Sequence, residues 1–97
     1  MAQVRTKISV AGFNDAEIAE GLQTLLAEFR ERPWLNNPNA EWDSGRKLLL
    51  VIIETEGDDP RLEAEGVLDE VWDCVIACFN FPPERVSFDI SEAMLIL

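Results

Sequence analysis

An α+β fold, with two helices on one face of a four-stranded antiparallel sheet, is predicted for this 97-residue chain by three observations. Two stretches repeat apolar residues at the helical interval and open with helix-start signals. Four stretches alternate, or run apolar, as strands do. The two kinds follow one another in the order strand, helix, strand, strand, helix, strand. At 47% apolar and 28% charged residues the composition is that of a folded globular protein, and the length suits one domain over residues 1–97.

Residues 4–10 alternate, with Val4, Thr6, Ile8 and Val10 on one face and Arg5, Lys7 and Ser9 on the other, which predicts a half-buried strand. Ala11 and Gly12 break it. Asn14 then stands where a helix N-cap is needed, Glu17 three residues later completes a capping box, and Phe13 is placed to pack on Ile18. Ile18, Leu22, Leu25, Leu26 and Phe29 give the apolar stripe of this helix, and Pro33 ends it near Arg32. Residues 34–39, with Asn36, Asn37 and Pro38, read as a turn-rich connection. Residues 40–44 read as a short strand and Ser44-Gly45 as a tight turn.

Residues 48–53 are the strongest strand signal: Leu48, Leu50 and Ile52 point one way, Leu49, Val51 and Ile53 the other, as in the middle of a sheet. Asp59 before Pro60 predicts an N-cap with proline in the first helical turn. Ala64, Val67, Leu68, Val71, Val75 and Cys78 then form one stripe, widened by Trp72 and Phe79, with Asp69, Glu70 and Asp73 opposite. Gly66 weakens the first turns and is an alternative boundary. Phe81, Pro82 and Pro83 end the helix. Val86, Phe88 and Ile90 alternate with Ser87, Asp89 and Ser91 as a last strand, followed by an apolar tail over residues 93–97.

This order resembles the split βαβ arrangement of ferredoxin-like domains, a two-layer sandwich whose first and third strands are central. The resemblance is one of topology and covers most of the chain. It implies a fold and no activity, because this architecture hosts many unrelated functions.

Charge and composition exclude more than they select. Eight Lys/Arg stand against 19 Asp/Glu, a net charge of −11, and there is no histidine and no tyrosine. Beyond residue 50 only Arg61 and Arg85 oppose twelve acids. Such a surface repels nucleic acid and an anionic membrane leaflet, and leaves a basic protein as the charged partner it suits. The longest uninterrupted apolar run is the six residues 48–53, so neither a signal peptide nor a transmembrane helix is expected. Cys74 and Cys78 lie four apart on one helix, where a bridge between them is disfavoured, which fits a reducing cytoplasm.

Without histidine the commonest general base is missing, and no serine or cysteine has a partner to activate it, so no enzyme, no catalytic residue and no cofactor is expected. Glu54, Glu56 and Asp58 at the exit of the third strand are the weak candidates for a hard cation. Asn37, Asn39, Glu41 and Asp43 alternate like calcium ligands, but Trp42 stands where that loop needs glycine. Two thiols are half a zinc site, with Cys78 expected in the core and Cys74 on the acidic margin. Trp72 is explained by its place on the helix stripe, whereas Trp34 and Trp42 are open to packing or partner contact.

The feature with most consequence is the third strand, apolar on both sides where helices cover one. Covering one Leu, one Val and one Ile is worth on the order of 5 to 8 kcal/mol before association costs. A second copy of the chain, the tail 94–97 or a ligand could supply the cover. Leu49, Val51 and Ile53 are the candidate interface, either row being eligible. The expectation is a cytoplasmic, non-enzymatic protein-interaction or regulatory module, homodimeric through its open sheet face. An alternative is an acidic inhibitor of a basic protein, acting through Glu63, Glu65, Asp69, Glu70 and Asp73. A second is a sensor of a small molecule or divalent cation.

Overall fold

The computed structural model describes residues 2–79 and 83–96. Strands β1 (Gln3–Ala11), β2 (Asn36–Asp43), β3 (Leu48–Glu56) and β4 (Ser87–Ile96) form one antiparallel sheet in the order β2-β3-β1-β4. Helices α1 (Asp15–Arg30) and α2 (Pro60–Cys78) pack on one of its faces. The first and third strands therefore hold the middle, leaving β2 and β4 as edges.

Register decides which residues lie under the helices. Val10 pairs with Leu49, Ile8 with Val51 and Thr6 with Ile53, and residues opposite one another share a face. The polar row Arg5, Lys7 and Ser9 sends β1 to the helices by its other side, and β3 follows. Leu49, Val51 and Ile53 are consequently fully buried. This corrects their assignment as candidate interface: the row left on the open face is Leu48, Leu50 and Ile52, each half-buried.

The α1 start is as the sequence predicts. The Asn14 carboxamide accepts the Glu17 backbone N–H at 2.9 Å, and the Glu17 carboxylate accepts that of Asn14 at 3.0 Å. Ile18, Leu25 and Phe29 enter the core with Leu22 and Leu26 at its margin. The helix ends two residues before the expected Arg32, whose guanidinium instead turns back on the Glu28 carbonyl at 2.8 Å. Gly21 is buried because the Phe79 ring lies over it, where a Cβ would stand 2.2 Å from the ring. In α2, Asp59 caps the Arg61 N–H at 3.1 Å, and Ala64, Val67, Val71, Cys74 and Val75 are buried. The helix runs through Gly66 without a break. Phe81 and Pro82, expected to end it, lie outside the described residues, as does Leu97.

Two segments differ from expectation. The connection 34–39 contributes residues to β2, which begins at Asn36. A register shift between Asn36 and Asn39 absorbs Asn37 in a left-handed conformation (φ 48°), and Pro38 is tolerated because β2 is an edge. The last strand and the apolar tail are one element: residues 93–96 continue β4 alongside β1, with a bulge opposite Lys7 and Ile8. Ser91 is the inserted residue, and its hydroxyl is hydrogen-bonded to that of Ser9. Residues 94–96 therefore lie within the sheet and not across its open face.

Candidate interaction surfaces

The open sheet face is built by alternation. From β1 it receives Arg5, Lys7 and Ser9, from β3 Leu48, Leu50, Ile52, Glu54 and Glu56, from β4 Asp89, Glu92, Met94 and Ile96, and from β2 Asn39, Glu41 and Asp43. The aliphatic row on β3 lies between the cationic row of β1 and the acids of β2. Arg5 reaches Glu54 at 3.1 Å, and the Asn37 side-chain amide donates to the same carboxylate at 3.0 Å. The Asn37 bond first, then Arg5, holds the Glu54 carboxyl below its usual range. Lys7 forms no ion pair with the described residues.

Glu54 is thus occupied, and it shares its face with Glu56 while Asp58 sits in the exposed loop beyond. Among the described residues no three carboxylates or thiols are placed to hold a metal ion, so these three are not brought together. Asp43 caps the β2–β3 turn, accepting the Arg46 N–H at 3.1 Å, and does not converge on Asn37, Asn39 and Glu41.

The five acids proposed on α2 do not form one surface. At about 100° per residue, Glu63 and Glu70 fall on the flank facing α1, where Glu70 accepts from Arg32 at 2.9 Å. Glu65, Asp69 and Asp73 share the solvent side with three large exposed apolar residues, Leu62, Trp72 and Ile76. The sequence signal for this second stripe was the seven-residue spacing of Leu62, Asp69 and Ile76, outside the core stripe. Trp72 belongs to it too: it is 36% exposed, and its ring meets Phe88 of β4 edge-on with centroids 4.8 Å apart, so its place is the α2–β4 seam and not the core. Trp42 packs against the core, and its indole N–H donates to Asp15 at 2.6 Å. Lys47 reaches the other Asp15 oxygen at 2.9 Å, and these bonds, the lysine's first, lower the Asp15 pKa. Trp34 is 56% exposed.

The cysteines exchange their expected places. Cys74, three and seven residues after Val71 and Val67, is fully buried, and Cys78 is half-buried because Phe79 fills the last turn of the core. Burial, with Glu28 and Glu70 nearby and Arg32 opposing, pushes the Cys74 thiol up to about 11. An unfolded thiol ionises near pH 8.5. The folded chain therefore holds its proton where the unfolded chain has lost it, and stability falls as pH rises from about 9 towards 11. Denaturant melts should show this decline in the native protein and a flatter profile in Cys74→Ala. At pH 8 iodoacetamide should label Cys78 well before Cys74.

Among the described residues no helix is long and apolar enough to cross a membrane. No family model, no curated protein and no solved structure matches this chain, so its surfaces stand on their own chemistry.

Proposed function

We propose that this chain is a non-enzymatic protein-interaction module of ferredoxin-like fold that associates with a second copy of itself through the open face of its sheet. The strand order β2-β3-β1-β4, read from the other edge, is 4-1-3-2, which supports the ferredoxin-like reading. The observation that carries the dimer is the aliphatic row Leu48, Leu50 and Ile52 on a central strand, sheltered by neither helix nor by residues 94–96. That face carries both signs of charge, with Arg5 and Lys7 between the acids of β2 and β4, and a mixed face can complement its own copy in a two-fold pairing. Free cysteines suit a cytoplasmic setting.

The magnitude points to a weak dimer. Flanking side chains already cover most of each residue in the row, so the remaining exposure is worth only about 2 to 3 kcal/mol per protomer. Association costs at least about 4 kcal/mol. Dimers should therefore form in a concentration-dependent way in sedimentation experiments, and Leu50→Glu should give folded monomers at every concentration. Dimers of undiminished strength in Leu50→Glu, or a wild-type chain that stays monomeric at millimolar concentration, refute the proposal.

A basic protein as partner is a second reading, favoured by the solvent side of α2, where Glu65, Asp69 and Asp73 interleave with Leu62, Trp72 and Ile76. Its association should be fast and strongly slowed by salt.

A further inference from the structure

From the seam between α2 and the edge strand β4 we infer a docking site for an extended protein segment of alternating apolar and basic residues, which would add a fifth strand to the sheet. This specifies the basic-partner reading by giving it a place and a conformation. A groove of about 430 Å³ runs there, lined by Leu68, Asp69, Trp72, Val86 and Phe88. Beyond the bulge the same side of β4 continues through Leu95, which lies opposite Val4 and is itself exposed. Among the described residues no strand pairs with the outer side of β4, so its backbone donors and acceptors there are available to another chain.

An added strand sends alternate side chains to opposite faces. Those on the helix face enter the groove against Trp72 and Phe88, which asks for apolar residues. Those on the open face come to lie beside Asp89 and Glu92, which asks for lysine or arginine. Asp69 at the groove wall adds to the same field. The pattern also argues against a second copy at this edge. An antiparallel pairing of two β4 strands centred on the bulge brings Asp89 opposite Glu92 twice, and like charges across a ladder are destabilising. The other edge does not compete, because Pro38 lacks an N–H and the Asn37 bulge interrupts β2.

The test is a titration of the isotope-labelled chain with a capped heptapeptide of alternating lysine and valine with a central phenylalanine, followed by amide and indole NMR. Shifts should concentrate on β4 and on the Leu68 amide and Trp72 indole, with slowed amide exchange along β4. The same peptide with glutamate for lysine, and the native peptide against Asp89→Lys/Glu92→Lys, should each bind about tenfold more weakly. Trp72→Ala should weaken binding and, by giving up the edge contact with Phe88, also lower the melting temperature, so its binding is read at a temperature where circular dichroism shows it folded, beside the surface variant Asp89→Lys/Glu92→Lys.

Shifts confined to Glu65, Asp73 and Ile76 on the outer side of α2 overturn the groove and leave the basic-partner reading standing. No shift at millimolar peptide overturns both. Equal binding of the acidic peptide, or β4 protection that rises with protein concentration in the absence of peptide, also overturns the inference. The last result would mean that a second copy occupies the edge.

Discussion

Val51→Glu is expected to leave the chain largely unfolded at 25 °C, whereas Leu50→Glu, one residue earlier on the same strand, should fold. Val51 is fully buried, opposite Ile8 and within a cluster that includes Leu25, Phe29, Val71 and Val75. A glutamate there loses the burial of valine, about 1.5 to 3 kcal/mol, and places a carboxyl where no cation in that cluster can pair with it. Such a site raises its pKa by as much as 3 to 5 units, so the group is protonated at neutral pH, which costs about 3.5 kcal/mol against the ionised unfolded chain, and the neutral carboxyl left without a partner costs about 1 to 3 kcal/mol more. The sum, roughly 6 to 9 kcal/mol, cancels the stability of a small domain, which lies towards the lower end of the usual range of about 5 to 15 kcal/mol. Far-ultraviolet circular dichroism and a thermal melt check it. A cooperative melt within a few degrees of wild type would mean that β3 presents the opposite row to the helices, and the account of the open face would fall with it. At Leu50 the new carboxylate reaches water, so the expected cost is only the partial burial of leucine and the repulsion of Glu41 opposite it, about 1 to 2 kcal/mol, which leaves the chain folded.

Gly12→Ala should lower the melting temperature by about 10 °C or more. Gly12 holds φ at +117°, a conformation costing a residue with a side chain about 1 to 3 kcal/mol. A Cβ at this position would also stand 2.3 Å from the Arg85 carbonyl oxygen and 3.0 Å from the Val86 Cα. Both are backbone atoms, so no rotamer change relieves the contact, and overpacking of this kind adds about 1 to 3 kcal/mol. For a domain of this length each kcal/mol moves the midpoint by roughly 4 to 8 °C. Gly66→Ala is the control of opposite sign. Its Cβ would meet nothing within 4 Å on a helical backbone, so alanine should stabilise α2 by about 0.5 to 1 kcal/mol. If both substitutions destabilise alike, the close approach of Gly12 to the segment before β4 is wrong.

Much of the fold was legible because its signals are local. The Asn14 and Glu17 box, the Asp59-Pro60 start and the alternation of residues 4–10 act within a few residues, and each forms as read. The errors fall where the deciding partner is distant in sequence. Residues 36–39 carry turn chemistry, yet β3 draws them into an edge strand through a bulge. Ala93 and Met94 read as a tail because the insertion of Ser91 breaks the period of two, and only pairing with β1 restores it. Cys74 and Cys78 both lie near the boundary of the α2 stripe, and which of them is buried depends on Phe79 closing over Gly21 of the other helix.

The candidate surface divides in the same way. From the sequence alone came the excess of acid, the two-sided greasiness of residues 48–53 and hence the need for a sheet with one helix-covered side. Tertiary structure alone chose Leu48, Leu50 and Ile52 for the uncovered side, removed Glu54 and Glu70 from the free acids by pairing them with Arg5 and Arg32, and brought Trp72 to Phe88 at the open edge. A strand apolar on both faces carries no information about its own orientation. That orientation comes from the hydrogen-bonded neighbour whose polar residues can reach water on one side only.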